Sequence, residues 1–491
     1  MHFIVKLFPE ITIKSAPVRK RFTKQLKVNL KSLLKPLDRD IRVTREWDKI
    51  EVHAESTGRQ LTAQVAEVLS HTPGVANFSE VVPFPLPDMS DYDSAVEEMY
   101  QQTFKLWGDA LKGKTFCVRV KRGNVQGFKS IDVERYIGGG LNQNTEAAGV
   151  KLKNPDITVH LEVHSNAYYV LLDRKPGLGG FPLGSQEPVL SLVSGGFDST
   201  VSSYLTIKRG IRTHYCFFNL GGRAHEVAVK EIAYYLWQKY GASHKVKFVT
   251  IPFEGVVDEI LQQVDNSQMG VVLKRMMLRA ASKLAEIMDI QALVTGEAIA
   301  QVSSQTLTNL TVIDEVTDTL VLRPLITMDK GDIIETSRKI GTEDFSANIP
   351  EYCGVISRKP TTRAKLDRIQ HEETKFDMAV LERAIDERRM VGIDEVINDL
   401  DEDVQVDQVE QVTGNQVIVD IRHPDEEELK PLTLEGVEVI KIPFFRLNTD
   451  FPGLAKEKEY LLYCEKGIMS QLHAAHLKDA GYKNLGVYRP Q

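Results

Sequence analysis

Apolar and polar positions alternate with different periods along the chain, and each change of period predicts a different kind of domain. Residues 1 to about 70 combine short alternating runs with helical spacing in Pro17–Lys35, which predicts a small α+β unit. From Pro188 to about Met390, runs of strand length alternate with helical patterns, as in a doubly wound parallel sheet. Pro73–Pro87 is predicted to turn the chain, and the glycine- and proline-rich stretch before Pro188 is predicted to be a linker.

One stretch in the middle of the chain joins a strand, a glycine turn and a helix. The apolar run Pro188–Val193 ends abruptly in the hexapeptide Ser194–Ser199, SGGFDS, and helical spacing of apolar residues follows. This order of elements presents backbone N–H groups and a helix N-terminus to an anion. Two glycines let the backbone approach a phosphate closely, and two serines add hydroxyl donors. The alternative is a strand-to-helix turn that contains glycine and binds nothing.

The hexapeptide resembles the SGGxDS pyrophosphate loop of the ATP pyrophosphatase family, whose members adenylate an oxygen of the substrate and release pyrophosphate. The resemblance implies that the loop holds the pyrophosphate and that Asp198 helps to organise Mg²⁺ and the phosphates. ATP and Mg²⁺ are therefore the expected cofactors. The loop residues implicated in this way are Ser194, Gly195, Gly196, Asp198 and Ser199.

A second phosphate-loop pattern, GxxxxGK[ST], occurs at Gly108–Thr115. A functional loop of that type follows a strand and opens a helix. Here the predicted order is reversed. A predicted helix over residues 91–112 runs into the pattern, and the predicted strand Phe116–Arg122 follows the pattern. We therefore expect this segment, including Lys114, to take no part in ATP binding.

The net charge of −7 hides an unequal distribution of charged residues. Residues 1–60 carry 14 Lys and Arg against 7 Asp and Glu, whereas residues 371–430 carry 6 against 19. The basic end suits a polyanion, although a solvated charged surface explains such a block equally well. No apolar run is long enough to span a bilayer, and no secretory signal pattern opens the chain. Four scattered cysteines form no disulfide scaffold, so we expect a cytoplasmic protein.

The residues before the linker resemble two known modules. Residues 1–70 resemble a ferredoxin-like unit with a basic first helix. The strand Phe116–Arg122, a glycine turn at Ile137–Gly140 and a final hairpin resemble a THUMP domain, a module of tRNA-modifying enzymes, which implies binding of the tRNA acceptor end. Possible phosphate partners in the two modules are Arg19, Lys20, Arg21, Lys24, Lys27, Lys31, Lys121, Arg122, Lys129, Arg135, Arg174 and Lys175.

The last stretch of about 80 residues is long enough to fold on its own, and it places a cysteine where an anion is stabilised. The strand Glu459–Tyr463 is followed at once by Cys464 and, after a short loop, by a helix. Backbone N–H groups and the helix dipole at such a loop favour a thiolate or a persulfide anion. The alternative is a buried cysteine at the end of a strand.

This last segment resembles a rhodanese domain. The resemblance implies that Cys464 carries a persulfide and that Asp420 and Arg422 form a buried pair. Many rhodaneses that use thiosulfate have Arg where Met469 stands. The departure implies that the sulfur donor is a protein persulfide, and we expect a cysteine desulfurase as the partner.

The full chain resembles the tRNA 4-thiouridine synthetases, uridine sulfurtransferases that are also linked to thiamine-thiazole synthesis. The resemblance implies adenylation of uracil O4 at position 8 of tRNA, followed by sulfur delivery from Cys464. It further implies that Asp198 and Lys330 are needed for adenylation and that Cys353 forms a disulfide with Cys464. A sulfur-carrier protein of thiazole synthesis is another implied partner. The residues expected to line the ATP site are Leu192, Val193, Lys274, Gly296 and Gln305.

The expected fold is multidomain α/β. Its parts are a ferredoxin-like domain (1–70), a THUMP RNA-binding α+β domain (71–175), a linker (176–187), a doubly wound parallel-sheet ATP pyrophosphatase domain (188–395), an acidic linker (396–411) and a rhodanese-like α/β domain (412–491). The acidic linker is expected to let Cys464 move between its donor and the active site. Cys117 and Cys216 lie in strand-like runs and are expected to be packing residues.

Other functions use parts of the same pattern. Without the family resemblance, Lys274 and Lys330 are equally well explained as surface lysines. An ATP-dependent amide-forming enzyme uses the same loop, but it needs an ammonia source, and no glutaminase segment is evident. A persulfide relay or RNA-binding protein without adenylation activity needs Cys464 but not Asp198.

Overall fold

The computed structural model of the protein describes residues 1–45, 49–56, 58–123, 125–220, 222–347, 349, 359–396, 406–413, 415–422, 424–434, 436–465 and 468–490. They divide into two units, Met1–Pro182 and Leu183–Gln491. No helix in this described part of the chain is both long enough and apolar enough to cross a membrane.

The first unit is built around one mixed sheet. Its strands are β1 (His2–Leu7), β2 (Arg42–Arg45), β3 (Lys49–His53), β4 (Val75–Pro85), β5 (Thr115–Arg122), β6 (Gly149–Val150), β7 (Ile157–Val163), β8 (Ala167–Leu171) and β9 (Lys175–Pro176). Its helices are α1 (Pro9–Thr12), α2 (Ala16–Leu34), α3 (Arg59–His71), α4 (Tyr92–Trp107) and α5 (Ser130–Asn144). Among the described residues the strand order is β2–β3–β1–β4–β8–β7–β5–β6, and β9 also pairs with β4.

Strand β4 belongs to both modules of this unit. It pairs antiparallel with β1 as far as Glu80, and from Val81 onward it pairs antiparallel with β8. The prediction that Pro73–Pro87 turns the chain is therefore wrong. Proline lacks the N–H that a strand donates to its neighbour. Pro83 and Pro85 are tolerated because the pairing of β4 with β1 stops at Glu80, so among the described residues this half of β4 pairs with β8 alone.

The second phosphate-loop pattern lies where the sequence predicts it. Helix α4 ends at Trp107, a 3₁₀ turn follows at Asp109–Leu111, and β5 begins at Thr115. The segment therefore leads from a helix into a strand. The pattern is followed by strand β5, whereas a functional loop of that type opens a helix.

The glycine run that was predicted to form a turn lies inside helix α5. Gly138, Gly139 and Gly140 are all helical residues. A Cβ atom added to Gly140 would lie 2.6 Å from Cε2 of Tyr100 in α4, much closer than two carbon atoms can approach. The prediction of a turn at Ile137–Gly140 is wrong, because the missing side chain of Gly140 allows α5 to pack closely against α4.

The second unit begins with an α/β domain. Its strands are β10 (Gln186–Leu192), β11 (Ile211–Asn219), β12 (Lys247–Pro252), β13 (Ala292–Val294), β14 (Leu320–Leu322) and β15 (Arg389–Gly392). Its helices are α6 (Phe197–Lys208), α7 (Gly222–Leu236), α8 (Glu254–Gln263), α9 (Met269–Ile287), α10 (Leu307–Asp314), α11 (Lys330–Ile340), α12 (Glu343–Ala347), α13 (Leu366–Glu373) and α14 (Met378–Asp386).

The sheet of this domain has the order β14–β13–β10–β11–β12–β15. Neighbouring strands are parallel except for β15, which pairs antiparallel with β12. The predicted doubly wound parallel sheet is confirmed, with an antiparallel edge strand that the sequence pattern did not indicate. The chain leaves β10 for β11 on one side, and β13 lies on the other. This reversal of strand order is where such folds bind ligands, beyond the carboxyl ends of the strands.

A second, smaller α/β domain completes the unit. Its elements are β16 (Gln408–Val409), β17 (Gln416–Asp420), α15 (Pro424–Leu429), β18 (Val439–Lys441), α16 (Phe444–Asp450), β19 (Glu459–Tyr463), α17 (Ile468–Asp479) and β20 (Leu485–Tyr488). Its parallel strands have the order β16–β20–β19–β17–β18. It packs on the first domain through aromatic side chains. The Phe444 ring centroid lies 4.3 Å from that of Phe345 and 6.3 Å from that of Tyr235 on α7.

Replacing Gly140 by alanine is expected to destabilise the first unit by about 1–3 kcal/mol, because the methyl group would overlap the Tyr100 ring. Gly139→Ala in the same helix is the matched control, since a Cβ there meets nothing within 4 Å. It is expected to stabilise by about 0.5–1 kcal/mol, as alanine does in a helix interior. Urea unfolding of both variants, with hydrogen exchange of the α5 amides, measures the difference. Equal effects of the two substitutions would contradict the packing role.

Candidate active site

The loop between β10 and α6 is held by its own hydroxyl groups. The Ser194 N–H donates to Ser199 Oγ at 3.1 Å, and the hydroxyls of Ser199 and Thr200 donate to the Gly196 carbonyl at 3.2 and 2.9 Å. Gly195 has φ of +82°, which glycine adopts without strain. The turn therefore has a defined shape, and it leads directly into the first turn of α6. Anions bind favourably at such a position.

Gly296, the second residue after the end of β13, approaches this loop so closely that it has room for no side chain. A Cβ atom on Gly296 would lie 2.6 Å from the backbone carbon of Asp198 and 2.6 Å from the backbone nitrogen of Ser199. Backbone atoms cannot move aside as a flexible side chain can. Gly296 thus lets the end of β13 pack directly against the start of α6, at the point where the strand order reverses.

Asp198 is the centre of a polar cluster at the start of α6. Lys330 Nζ lies 2.8 and 3.0 Å from the two carboxylate oxygens of Asp198, and Gln301 Nε2 donates to Oδ2 at 2.7 Å. The Lys330 ammonium also lies 5.6 Å from the centroid of the Phe197 ring. Both Asp198 and Lys330 keep part of their side chains exposed, at 20% and 40%. An incoming phosphate can therefore reach the lysine.

A cavity of about 260 Å³ opens beside the loop. The predicted site residues that line it are Leu192, Val193, Ser194, Gly196, Asp198, Ser199, Lys274, Gly296 and Gln305. Gly195 and Lys330 are not among the lining residues. A Cβ on Gly195 would meet the side chains of Ile349 and Val229 at 2.5 and 3.1 Å. Lys330 contacts Asp198, which lines the cavity.

The cavity wall includes residues that the sequence pattern did not single out. Ile349 and Pro360 both line it, and they flank the segment that contains Cys353. Cys353 itself lies outside the described residues, as does most of the acidic linker. Arg323 also lines the cavity, and it pairs with Glu297 at 2.8 Å. Ile349 and Pro360 reach the cavity wall only in the folded chain, and no local spacing indicates them. Arg323, in contrast, directly follows β14, at a strand end where such a sheet is expected to bind ligands.

Arg275 follows Lys274 along α9 but plays a different part. Its guanidinium is buried and pairs with Glu373 at 2.7 Å and with Glu315 at 3.1 Å. These ion pairs raise the pKa of Arg275 although burial opposes them. Arg275 therefore joins α9 to neighbouring helices, and Lys274 is the member of the pair that faces the cavity.

Helix α7 connects the loop to the smaller domain. His225 Nε2 lies 3.1 Å from the Ser194 carbonyl oxygen. Burial lowers the pKa of His225, against the opposing effect of that hydrogen bond. Further along the helix, Glu231 Oε1 lies 3.0 Å from Nε2 of His473 on α17. A helix rises about 1.5 Å per residue, so His225 and Glu231 are about 9 Å apart along the axis.

The thiol of Cys464 lies between the end of β19 and the start of α17. Cys464 is 9% exposed, and its Sγ accepts a hydrogen bond from the Ser470 N–H at 3.3 Å. Ser470 Oγ is also 3.3 Å from this sulfur. Donors of this kind stabilise negative charge on sulfur. Lys466, Gly467 and the Met469 side chain lie outside the described part.

Next to this thiol, Asp420 and Arg422 form the buried pair that the sequence predicts. Arg422 Nη2 lies 2.5 Å from Asp420 Oδ2, and its Nε donates to Oδ1 at 2.9 Å. Arg422 Nη1 also donates to the Lys430 carbonyl at 2.8 Å. The pair fixes the backbone where β17 ends, beside β19 and Cys464.

The other two described cysteines are packing residues. Cys117 and Cys216 are 2% and 0% exposed, within β5 and β11. Burial raises the pKa of the Cys216 thiol, which disfavours its thiolate.

The described residues contain no cluster of three or more His, Cys, Asp or Glu side chains that could hold a metal by themselves. A single carboxylate suits Mg²⁺ when nucleotide phosphates supply most of the other ligands. Asp198, at the start of α6, is placed for that role.

Four known domain families match successive parts of the chain. The family described as Thiamine biosynthesis protein (ThiI) matches residues 184–378, and the ThiI ferredoxin-like domain matches residues 2–79. The THUMP domain matches residues 93–173, and the rhodanese-like domain matches residues 405–489.

One solved structure is similar over most of the chain. It is described as a 4-thiouridine synthetase–RNA complex with bound ATP, and it superposes with a TM-score of 0.67 at 26% identity. The match covers 80% of this chain and 99% of that one.

Full-length relatives share more than half of their residues with this protein. The tRNA sulfurtransferase of Shewanella sediminis is 57% identical, and that of Saccharophagus degradans is 56% identical. Both alignments cover 100% of each chain. The protein therefore belongs to the tRNA sulfurtransferase family.

Proposed function

We propose that the protein uses ATP to replace O4 of a tRNA uridine with sulfur, at position 8 as the family resemblance implies. The observation that carries the proposal is the placement of a phosphate loop and a thiol along one helix. His225 of α7 contacts the loop, and Glu231 of the same helix contacts α17, whose first turn binds Cys464. Helix α7 therefore contacts both the loop proposed for activation and the helix that binds the proposed sulfur carrier.

Adenylation makes O4 of uracil a leaving group. O4 attacks the α-phosphate of ATP, and the bond between the α- and β-phosphates breaks to release pyrophosphate. The N–H groups of the loop and the start of α6 would hold that pyrophosphate. Lys330 would stabilise the charge that develops on the phosphate, as its position beside Asp198 allows. Mg²⁺, if held by Asp198 and the phosphates, would neutralise part of the phosphate charge.

Sulfur transfer then uses the persulfide on Cys464. Its outer sulfur attacks C4, the C4–O bond breaks, and AMP leaves. The thiolate of Cys353 attacks the inner sulfur, and the sulfur–sulfur bond breaks so that the outer sulfur stays on C4 as 4-thiouridine. A Cys353–Cys464 disulfide remains, and a dithiol reductant must supply two electrons to restore both thiols. A cysteine desulfurase would then reload Cys464.

The surroundings of the cavity support a role for Cys353. Ile349 lies against Gly195 of the loop, and Pro360 returns to the cavity wall. The described residues on the two sides of the segment that contains Cys353 therefore both border the cavity.

The tRNA would be bound by the first unit. All six basic candidates of the THUMP part, and four of the six on the first long helix, are exposed. Binding through such residues is electrostatic and weakens as salt rises. The exposed basic residues are Lys20, Arg21, Lys24, Lys31, Lys121, Arg122, Lys129, Arg135, Arg174 and Lys175. These functions, and a sulfur-carrier protein of thiazole synthesis as second acceptor, suit a cytoplasmic protein.

Lys330→Ala is expected to lower the rate of tRNA-dependent pyrophosphate release by about 10²–10³-fold, because a charge that stabilises the transition state is lost. Lys114→Ala removes the lysine of the second phosphate-loop pattern and is expected to leave the rate unchanged. Pyrophosphate release measured with both variants decides between the two loops. A loss of activity in Lys114→Ala alone would contradict the assignment of the site.

Cys464→Ser is expected to keep adenylation and to abolish sulfur incorporation, because no persulfide can form. Cys353→Ser is expected to stop after one turnover at most, because nothing frees the sulfur from Cys464. Quantifying 4-thiouridine per enzyme by mass spectrometry of tRNA nucleosides measures both effects. Cys117→Ala is the control, since it removes a buried thiol of the first unit. Undiminished multiple turnover in Cys353→Ser would remove this cysteine from the mechanism.

A persulfide relay without adenylation is the alternative function. Substitution of Asp198 distinguishes the two functions, because only adenylation is expected to need this residue. Asp198→Ala is expected to abolish 4-thiouridine in cells while thiamine prototrophy persists, because relay to thiazole synthesis needs the persulfide alone. Cys464→Ser is expected to abolish both. Growth without thiamine and nucleoside analysis of the same strains measure the outcome. Retention of 4-thiouridine in Asp198→Ala would favour the relay.

A further inference from the structure

A tyrosine on the helix between the two sites has an unexplained hydroxyl group. Tyr234 lies on α7, is 1% exposed, and its hydroxyl has no hydrogen-bond partner among the described residues. Buried polar groups are nearly always paired, because an unpaired one has lost its water without compensation. Phenylalanine would fill the same space without that cost. The described residues of the unloaded protein therefore leave this hydroxyl without a hydrogen-bond acceptor.

Tyr234 and the residue that binds the sulfur each lie one helical turn from the same contact between α7 and α17. Glu231 of α7 lies 3.0 Å from His473 of α17. Tyr234 is one turn after Glu231 on the same face of α7, and Ser470 is one turn before His473 on α17. Ser470 binds the sulfur of Cys464.

Two further observations agree with this placement. Tyr234 and Cys464 belong to the same buried cluster of side chains, together with residues of α16 and β17. Burial raises the pKa of the Tyr234 hydroxyl, and the charge of Cys464 raises it further, ahead of the charges of Glu426 and Asp394. Because its pKa is raised, the hydroxyl remains protonated and able to donate a hydrogen bond.

We propose that Tyr234 is a positioning residue whose hydroxyl donates a hydrogen bond to the outer sulfur of a persulfide on Cys464. A persulfide extends about 2 Å beyond Sγ, which the Ser470 N–H already holds. The added sulfur supplies the acceptor that the resting thiol does not offer to Tyr234. The smaller domain therefore docks on α7 more firmly when it carries sulfur than when it does not. This inference rests on the proposed persulfide chemistry of Cys464.

The test compares loaded and unloaded full-length protein. Cysteine and a cysteine desulfurase load the wild type and Tyr234→Phe, and mass spectrometry counts the added sulfur. Hydrogen exchange then follows the amides of α7 and α17. Loading is expected to raise their protection about 10- to 100-fold in the wild type, as a hydrogen bond to a charged acceptor would. Tyr234→Phe is expected to show no such rise.

Tyr168→Phe is the matched control, because Tyr168 is also buried with an unpaired hydroxyl but lies on β8 of the first unit. It is expected to behave as the wild type. A merely structural role of Tyr234 would change protection equally in loaded and unloaded protein. The same rise on loading in Tyr234→Phe overturns this inference and leaves the proposed function intact. If the loaded protein shows the expected difference but transfers no sulfur to tRNA, the proposed function fails and this inference stands. If Cys464 accepts no sulfur at all, both fail.

Discussion

A buried network of charged and polar side chains fastens helix α7 to the parallel sheet, and both candidate sites depend on it. Glu226 lies 2.7 Å from the fully buried Lys230 and 2.8 Å from Arg389 of the edge strand β15. Asn219 at the end of β11 and Thr250 within β12 also donate to Glu226. Removing one partner from such a network leaves a buried charge uncompensated. The network therefore holds α7 in one position relative to the sheet, which also fixes the positions of His225, Glu231 and Tyr234 on that helix.

The two sites differ in the groups that stabilise negative charge: an ion-paired lysine at the phosphate loop and hydrogen-bond donors at Cys464. At the phosphate loop, Lys330 is paired with Asp198 before any ligand arrives, so the lysine is already oriented. At Cys464, the donors from Ser470 face a sulfur atom that can be neutral or charged. In both cases the polar groups are fixed by the fold, so little reorganisation is needed when charge develops. Glycine residues allow this arrangement, because Gly296 brings β13 into contact with the start of α6.

Features with a local cause could be predicted from the sequence. The hexapeptide at Ser194, the alternation of strands and helices after Pro188, and the position of Cys464 after a strand each depend on a few neighbouring residues, and the structure has the corresponding elements. The second phosphate-loop pattern could be rejected for the same reason, since the order of its flanking elements is local.

Features whose cause lies far away in the chain could not be predicted. The glycines of α5 indicate a turn until Tyr100 of α4 is placed against Gly140. Pro83 and Pro85 indicate a turn until the pairing of β4 with β1 is seen to stop at Glu80. His225 and Tyr234 have no pattern of their own, because their significance comes from Ser194 and from the neighbourhood of Cys464.

Both modules of the first unit pair with strand β4, so the distance between them along that strand can change only by whole residues. One part of β4 pairs with β1 and the next with β8, with no loop between them to absorb a change in length. Side chains alternate between the faces of a strand, so one inserted residue near Val81 would turn the following side chains to the opposite face. Only changes of two residues would preserve both cores, and each would move one module by about 7 Å along the strand. Insertions or deletions in β4 that preserve both cores can therefore change the distance between the two modules only in increments of two residues.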